Sequence, residues 1–243
     1  MSSIVVRRDG ELWWIGLNRP DRRNSHDEAM VAEFDEVLGE ARRTPCILLI
    51  HSTTPGIFAA GADIREMRER DSAHALRAIN AGLFERLEAH RWPTIALVDG
   101  PAFGGGCEMA LACDFRIASP RAIFAQPELS LGILAGAGGN WRLAQLAGLA
   151  TARRMLFAGV RLDAAEALAA GLIDEIADDL PTRGDAFAKT IARQSWRALE
   201  LTKLALRAHR PDTTKFDTAA QALLFDSADK YERMTDFLER KKR

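Results

Sequence analysis

Two glutamates, Glu108 and Glu128, stand 20 positions apart, each beside small residues. Glu108 ends the run Gly104-Gly105-Gly106-Cys107-Glu108. Glu128 follows Gln126-Pro127 and precedes Gly136-Ala137-Gly138-Gly139. A third segment, Phe58-Ala59-Ala60-Gly61-Ala62-Asp63, has the same small-residue character. Small residues let a ligand approach the main chain closely, and carboxylates beside such main chain can move protons. The combination points to a site that polarises a carbonyl with main-chain N–H groups and does acid–base work next to it.

The elements that must hold these residues follow from the apolar pattern. Val5-Val6 and Leu12–Leu17 read as two short strands around a turn at Asp9-Gly10. From Asp27, apolar residues recur at helical spacing (Met30, Val31, Phe34, Val37, Leu38), and Cys46–Ile50 is a short apolar run suited to a buried strand. Asp63 begins another helix, and Ser72–His90 reads as one longer helix with Leu76, Ile79, Leu83 and Leu87 on one face. Thr94–Val98 is a strand, Asp99-Gly100-Pro101 a turn, Gly105–Ala112 a helix and Phe115–Ala118 a strand. This alternation predicts an α/β core of repeated units. Beyond Trp141 helical signals dominate: 141–147, 151–157, 163–170 closed by Gly171, then 182–194, 196–208, 213–228 and 230–242, with one strand at Leu172–Ile176. No Gly/Ser linker separates this part, so residues 1–180 are read as the core and 181–243 as a helical extension of the same domain.

The first N–H groups of a helix lack intrahelical partners and carry partial positive charge. A helix opening at Gly105 therefore offers half of an oxyanion hole, and the segment ending at Asp63 offers the same arrangement. Taken singly, each segment reads as a tight turn with close packing, Glu108 as a charge at a helix N-terminus and Glu128 as a surface-loop acid. Against that, Met109-Ala110-Leu111-Ala112-Cys113 makes the helix of Glu108 apolar nearly all round. A buried carboxylate is costly unless it is paired or used.

Bulk properties remove several functional classes. The 243 residues carry a formal net charge of −1, so no global field draws the chain to nucleic acid or an anionic membrane. No apolar run approaches a membrane span, and Met1–Gly10 has no signal-peptide core. Cys46, Cys107 and Cys113 form neither a disulfide framework nor a metal knuckle, which suits buried thiols and a cytoplasmic home. The five histidines are scattered, so no metal site is expected, and the basic tail 240–243 reads as a solvated end.

Several stretches, in order and at matching separations, resemble the crotonase superfamily, the enoyl-CoA hydratases and isomerases. They are Leu17-Asn18-Arg19-Pro20 with Arg23-Asn24, Phe58–Met67, Asp99–Asp114, Gln126–Gly139 and Gly171-Leu172-Ile173. The resemblance implies an α/β fold, a spiral of repeated ββα units with a C-terminal helical oligomerisation region, assembled as a homotrimer or a dimer of trimers. It implies acyl-CoA thioester substrates and no cofactor beyond the coenzyme A of the substrate. It maps oxyanion N–H groups onto Ala62 and Gly105, catalytic acids onto Glu108 and Glu128, and water positioning onto Gly136. Coenzyme A and acyl contacts map onto Arg23, Asn24, Ser25, Ala60, Asp63, Ile64 and Arg65, with Trp141 near the acyl side. Phe237 and Arg240 fall where a neighbouring subunit's C-terminal helix approaches the coenzyme.

The chain departs from the family pattern at His26, Ala135, Asn140-Trp141 and Arg233. Keeping both glutamates favours 2-enoyl-CoA hydration over its rivals. Those are double-bond isomerisation or a specialised dehydration on the same scaffold and, in another class, a non-catalytic protein binding coenzyme A or RNA. The charge balance and the lack of aromatic-basic interleaving speak against RNA.

Overall fold

The computed structural model describes residues 2–207, 222 and 224–240. The helix expected over 213–228 falls largely outside these residues, as does the basic tail beyond Arg240. Strands β1 (Ile4–Asp9) and β2 (Leu12–Leu17) form the antiparallel entry to a six-stranded sheet. It continues in parallel through β3 (Ile47–Ser52), β4 (Thr94–Val98), β6 (Phe115–Ala118) and β9 (Glu175–Ile176). A second sheet joins β5 (Pro101–Phe103), β7 (Ile123–Ala125) and β8 (Leu162–Asp163).

Each turn of the spiral gives one strand to each sheet. β4 is followed by β5, β6 by β7, and β3 by Ala59, which bridges to Ala102 of β5. A helix then closes each turn: α1 (Glu28–Ala41) after β1 and β2, α5 (Gly105–Leu111) after β5, and α6 (Gly139–Ala158) after β7, while the short α7 (Ala164–Ala169) follows β8. This is the α/β spiral of ββα units that the resemblance implies.

The central strands are buried on both faces, which is why they read as unbroken apolar runs. Successive residues point to opposite sides. Ile15, Leu48, Ile50, Ala96 and Val98 face the main core. Trp14, Ile47, Leu49, Ile95 and Leu97 face a second layer closed by Leu180 and Ala188 of α8 (Leu180–Ala192). All three cysteines are buried free thiols, and burial pushes Cys46 and Cys113 up to about 12.

Several details differ from the sequence reading. The turn expected at Asp99–Pro101 is shorter, because Pro101 already belongs to β5. The short strands β5, β7 and β8 were not expected, and of Leu172–Ile176 only Glu175–Ile176 is strand. The single helix expected over Ser72–His90 is two, α3 (Ser72–Leu76) and α4 (Ile79–Glu88), following α2 (Ile64–Glu69). The break is Ala78, held left-handed at φ 49°, a conformation costing roughly 1–2 kcal/mol for a residue with a Cβ. Leu76 consequently leaves the apolar face and is 60% exposed.

The C-terminal helices pack on the core. α9 (Trp196–Arg207) is pinned by Lys203, whose Nζ donates to Asp114 at 2.6 Å and to Trp92 O at 3.1 Å. α10 (Ala228–Arg240) lies against α2 and the turn after Glu128. Among the described residues no helix is long and apolar enough to cross a membrane.

Candidate active site

Ala62 is held from both sides. His26 N–H donates to Gly61 O at 2.8 Å, and Asp63 N–H donates to His26 O at 3.0 Å. Asp63 then caps α2, accepting from Arg65 N–H at 3.0 Å. Opposite, Gly104 N–H donates to Ala125 O of β7 at 2.9 Å, which fixes the start of α5. The two segments meet because Gly106 has no side chain: a methyl there would lie 2.2 Å from Ala59 O. A methyl on Gly105 would stand 3.4 Å from Ala62 N, so these two main-chain nitrogens are close neighbours. Neither Ala62 N–H nor Gly105 N–H donates to a group among the described residues. Both residues line one cavity of about 110 Å³.

Glu108 and Glu128 line the same cavity. Glu108 projects from the first turn of α5 and is 3% exposed. Its Oε1 accepts from Ala137 N–H and Gly139 N–H, both at 2.8 Å. Glu128 opens a 3₁₀ turn, Glu128–Leu131, and its Oε1 would lie 2.8 Å from a methyl on Gly104. The Gln126 amide, with its nitrogen turned toward this carboxyl, donates to both oxygens at 3.0 Å. Burial, and then the charge of Glu108, raises the proton affinity of Glu128 well above that of an ordinary carboxylate. One cavity thus presents a carboxyl group gripped by main-chain N–H groups, a second carboxyl of raised proton affinity, and two N–H donors with no acceptor among the described residues. Such a set can polarise a carbonyl and transfer protons on either side of it.

Of the other residues expected from sequence, Gly136, Ala60 and Ile64 line the cavity. Arg65 and Arg23 are exposed, Arg23 in a left-handed conformation with its carbonyl accepting from Ala60 N–H at 3.0 Å. The side chains of Asn24 and Ser25 are buried. Asn24 is 0% exposed, accepts from Arg19 N–H and donates to Ser52 Oγ and Phe58 O. These bonds tie the segment at Asn24 to the chain around Ser52 and Phe58. Trp141 is not among the residues lining the cavity, and its ring lies 4.4 Å from the Arg142 guanidinium. Phe237, like Ala62 and Ile64, packs against the buried cluster that includes Met67, Leu131 and Phe225 of its own chain, and Arg240 is exposed at the end of α10.

Sequence reasoning missed Phe225, Met67, Leu131 and Leu134, which complete the apolar wall, and Arg70, His74 and Asn80 at its edge. It also missed Gln126 as a partner of Glu128, and Ala137 and Gly139 as the donors to Glu108. The Gly-Ala-Gly-Gly run was the visible signal for the last two.

Comparison with known proteins agrees with this geometry. The sequence profile of the family described as enoyl-CoA hydratase/isomerase matches residues 7–243. The short-chain-enoyl-CoA hydratase of Clostridium acetobutylicum is 34% identical, the match spanning 100% of this chain and 97% of that protein. The 2,3-dehydroadipyl-CoA hydratase of Escherichia coli is 35% identical over 99% of this chain and 97% of its own length. The crystal structure of an enoyl-CoA hydratase/isomerase from Mycobacterium paratuberculosis superposes with a TM-score of 0.90 at 27% identity, covering 97% of this chain and 98% of that one.

Proposed function

The chain belongs to the enoyl-CoA hydratase/isomerase family and is an enoyl-CoA hydratase, a carbon–oxygen lyase acting on acyl-CoA thioesters, and we propose the following division of labour in its site. The thioester oxygen accepts hydrogen bonds from Ala62 N–H and Gly105 N–H, which draws electron density from Cβ of the conjugated double bond. Water enters between Glu108 and Glu128, near Gly136. Glu108 takes a proton from the water as its oxygen bonds to Cβ, and Glu128 delivers its proton to Cα. The product gains H and OH on one face. A proton returning from Glu108 to Glu128 resets the pair. No resident cofactor enters this scheme.

The observation that carries the reading is the shared cavity, lined by two acids and by two N–H groups that have no acceptor among the described residues. The opposite environments of the acids support the assignment of base and acid. Each oxyanion donor contributes roughly 3–4 kcal/mol in comparable sites. Arg23, Arg65 and the end of α10, with Phe237 and Arg240, are proposed to meet the coenzyme outside the cavity.

The test follows loss of the conjugated thioester absorbance with short- and medium-chain 2-enoyl-CoA. Hydration by the wild type and its loss in Glu108→Gln and Glu128→Gln support the reading. A protein that only shifts a 3-enoyl double bond is an isomerase, and one that ignores coenzyme A esters overturns the scheme.

Assembly as a homotrimer or a dimer of trimers is part of the same proposal. Leu149 and Phe157 on α6 and Leu201, Leu204 and Leu206 on α9 are exposed, Phe157 by 75%, the kind of apolar surface that partner subunits cover. A cytoplasmic location is proposed alongside it.

A further inference from the structure

The Gly136–Gly139 loop that grips Glu108 is itself held from behind by one side chain. Arg142, on the first turn of α6, has a side chain only 3% exposed. Its Nη1 donates to Ala137 O at 2.7 Å, and its main-chain N–H donates to Gly138 O at 3.0 Å. On its other edge Nε and Nη2 donate to Glu88 Oε2 at 3.2 and 2.7 Å. The Trp141 ring stacks against the guanidinium at 4.4 Å. Ala137 is therefore fixed at both ends, its carbonyl by Arg142 and its N–H by Glu108. Gly138 confirms the fit from the loop side: its φ is 107°, and a methyl there would lie 2.1 Å from Arg142 Nη1. The guanidinium occupies the space that any side chain at 138 would need.

We propose that Arg142 is a positioning residue for hydration, holding Ala137 so that the loop presents two N–H donors to Glu108, with Glu88 and Trp141 locking the guanidinium in place. A planar fork can bond in two directions at once, which the single ammonium of a lysine cannot match here. Glu88 is the last residue of α4, whose first turn lines the cavity, so the ion pair also ties that wall to the loop. The inference rests on the hydratase reading above.

The experiment compares wild type with Arg142→Met, Arg142→Lys and Glu88→Gln, reading kcat, KM and melting temperature across pH. Isotope-edited infrared titration of the Glu108 carboxylate runs in parallel. Misplacing a reacting group by about 1 Å costs on the order of 100-fold in rate, and that fall in kcat is expected for Arg142→Met with KM unchanged. The acidic limb of kcat moves to higher pH, because Glu108 loses ordered donors to its charged form. Arg142→Lys recovers part of the rate, and Glu88→Gln shows the same shift in smaller measure. A fall in kcat with the limb and the Glu108 titration both unmoved overturns the proposal, as does an unchanged kcat in folded Arg142→Met. If Arg142→Met does not fold, Glu88→Gln decides by the same two readouts. A wild type that hydrates nothing overturns the hydratase reading instead, and the infrared titration then still decides whether Arg142 orders the loop around Glu108.

Discussion

Glu128 holds a proton more tightly than an ordinary carboxylate in part because Glu108 shares its cavity: burial is the larger cause and the neighbouring negative charge the second. The two acids therefore do not titrate independently. Replacing Glu108 by Gln removes the second cause and leaves the first. Infrared titration of the Glu128 carboxyl in Glu108→Gln should show its midpoint lowered yet still above the ordinary carboxylate value. Hydration should fall by about 100- to 10,000-fold, the usual contribution of a general base.

Glu128→Gln should lose activity and gain stability. In the fold the pKa of this group lies well above the 4.5 of the unfolded chain, burial being the first cause. A folded pKa above the unfolded one gives stability that is present below 4.5 and is lost as pH rises. A neutral amide removes that loss, so the melting temperature at neutral pH should rise above wild type. Below pH 4.5 the advantage should vanish, a crossing that calorimetry at several pH values can follow.

His26 predicts acid sensitivity of the opposite sense. Burial, then the charge of Arg19, lowers its pKa to about 4 from 6.5, and its ring packs edge-on to Phe84. The fold holds it neutral while the unfolded chain takes up a proton, so its contribution is complete above pH 6.5 and is lost as pH falls toward 4. The gap corresponds to about 3 kcal/mol, at 1.36 kcal/mol per pH unit. Denaturant unfolding across this window should show His26→Leu losing less stability than wild type. His90, lowered to about 3 by burial and then by Lys203, should leave a residual slope in that variant.

Lys230 should control the apolar wall from a distance. It is 2% exposed, and its Nζ donates to Met67 O, Arg68 O and Arg70 O at 3.5, 3.3 and 2.8 Å, closing the carbonyl end of α2. Lys230→Ala leaves those carbonyls without their cation, a cost of about 1–3 kcal/mol for buried polar groups. KM for 2-enoyl-CoA should rise and α10 should become more sensitive to limited proteolysis. An unchanged KM would separate α10 from substrate binding.

The legible parts of this molecule share a cause. β3 and β4 were readable because burial on both faces demands continuous apolar runs, and Gly171 because a left-handed helix end at φ 72° favours glycine. Glu108 stood out because an acid in an otherwise apolar helix needs a purpose. The break at Ala78 left no trace, since neither glycine nor proline marks it and tertiary packing imposes its left-handed backbone. β5 and β7, three residues each, are too short to show a period. Asn24 was placed at the coenzyme by resemblance alone, and its bonds to Ser52 and Phe58, 28 and 34 residues away, leave no mark in the local pattern. Phe225 joins the site only through the packing of the C-terminal segment, which local pattern cannot reveal.

Ala62 and Gly105, the proposed oxyanion donors, belong to successive turns of the spiral, which touch through Ala59 and Gly106. Neither turn carries a usable half-reaction alone. Recovery of catalysis after denaturation is thus a stringent clock: turnover returns only once that inter-turn seam has zipped shut, and proteolytic halves separated between the two segments stay silent until they reassociate.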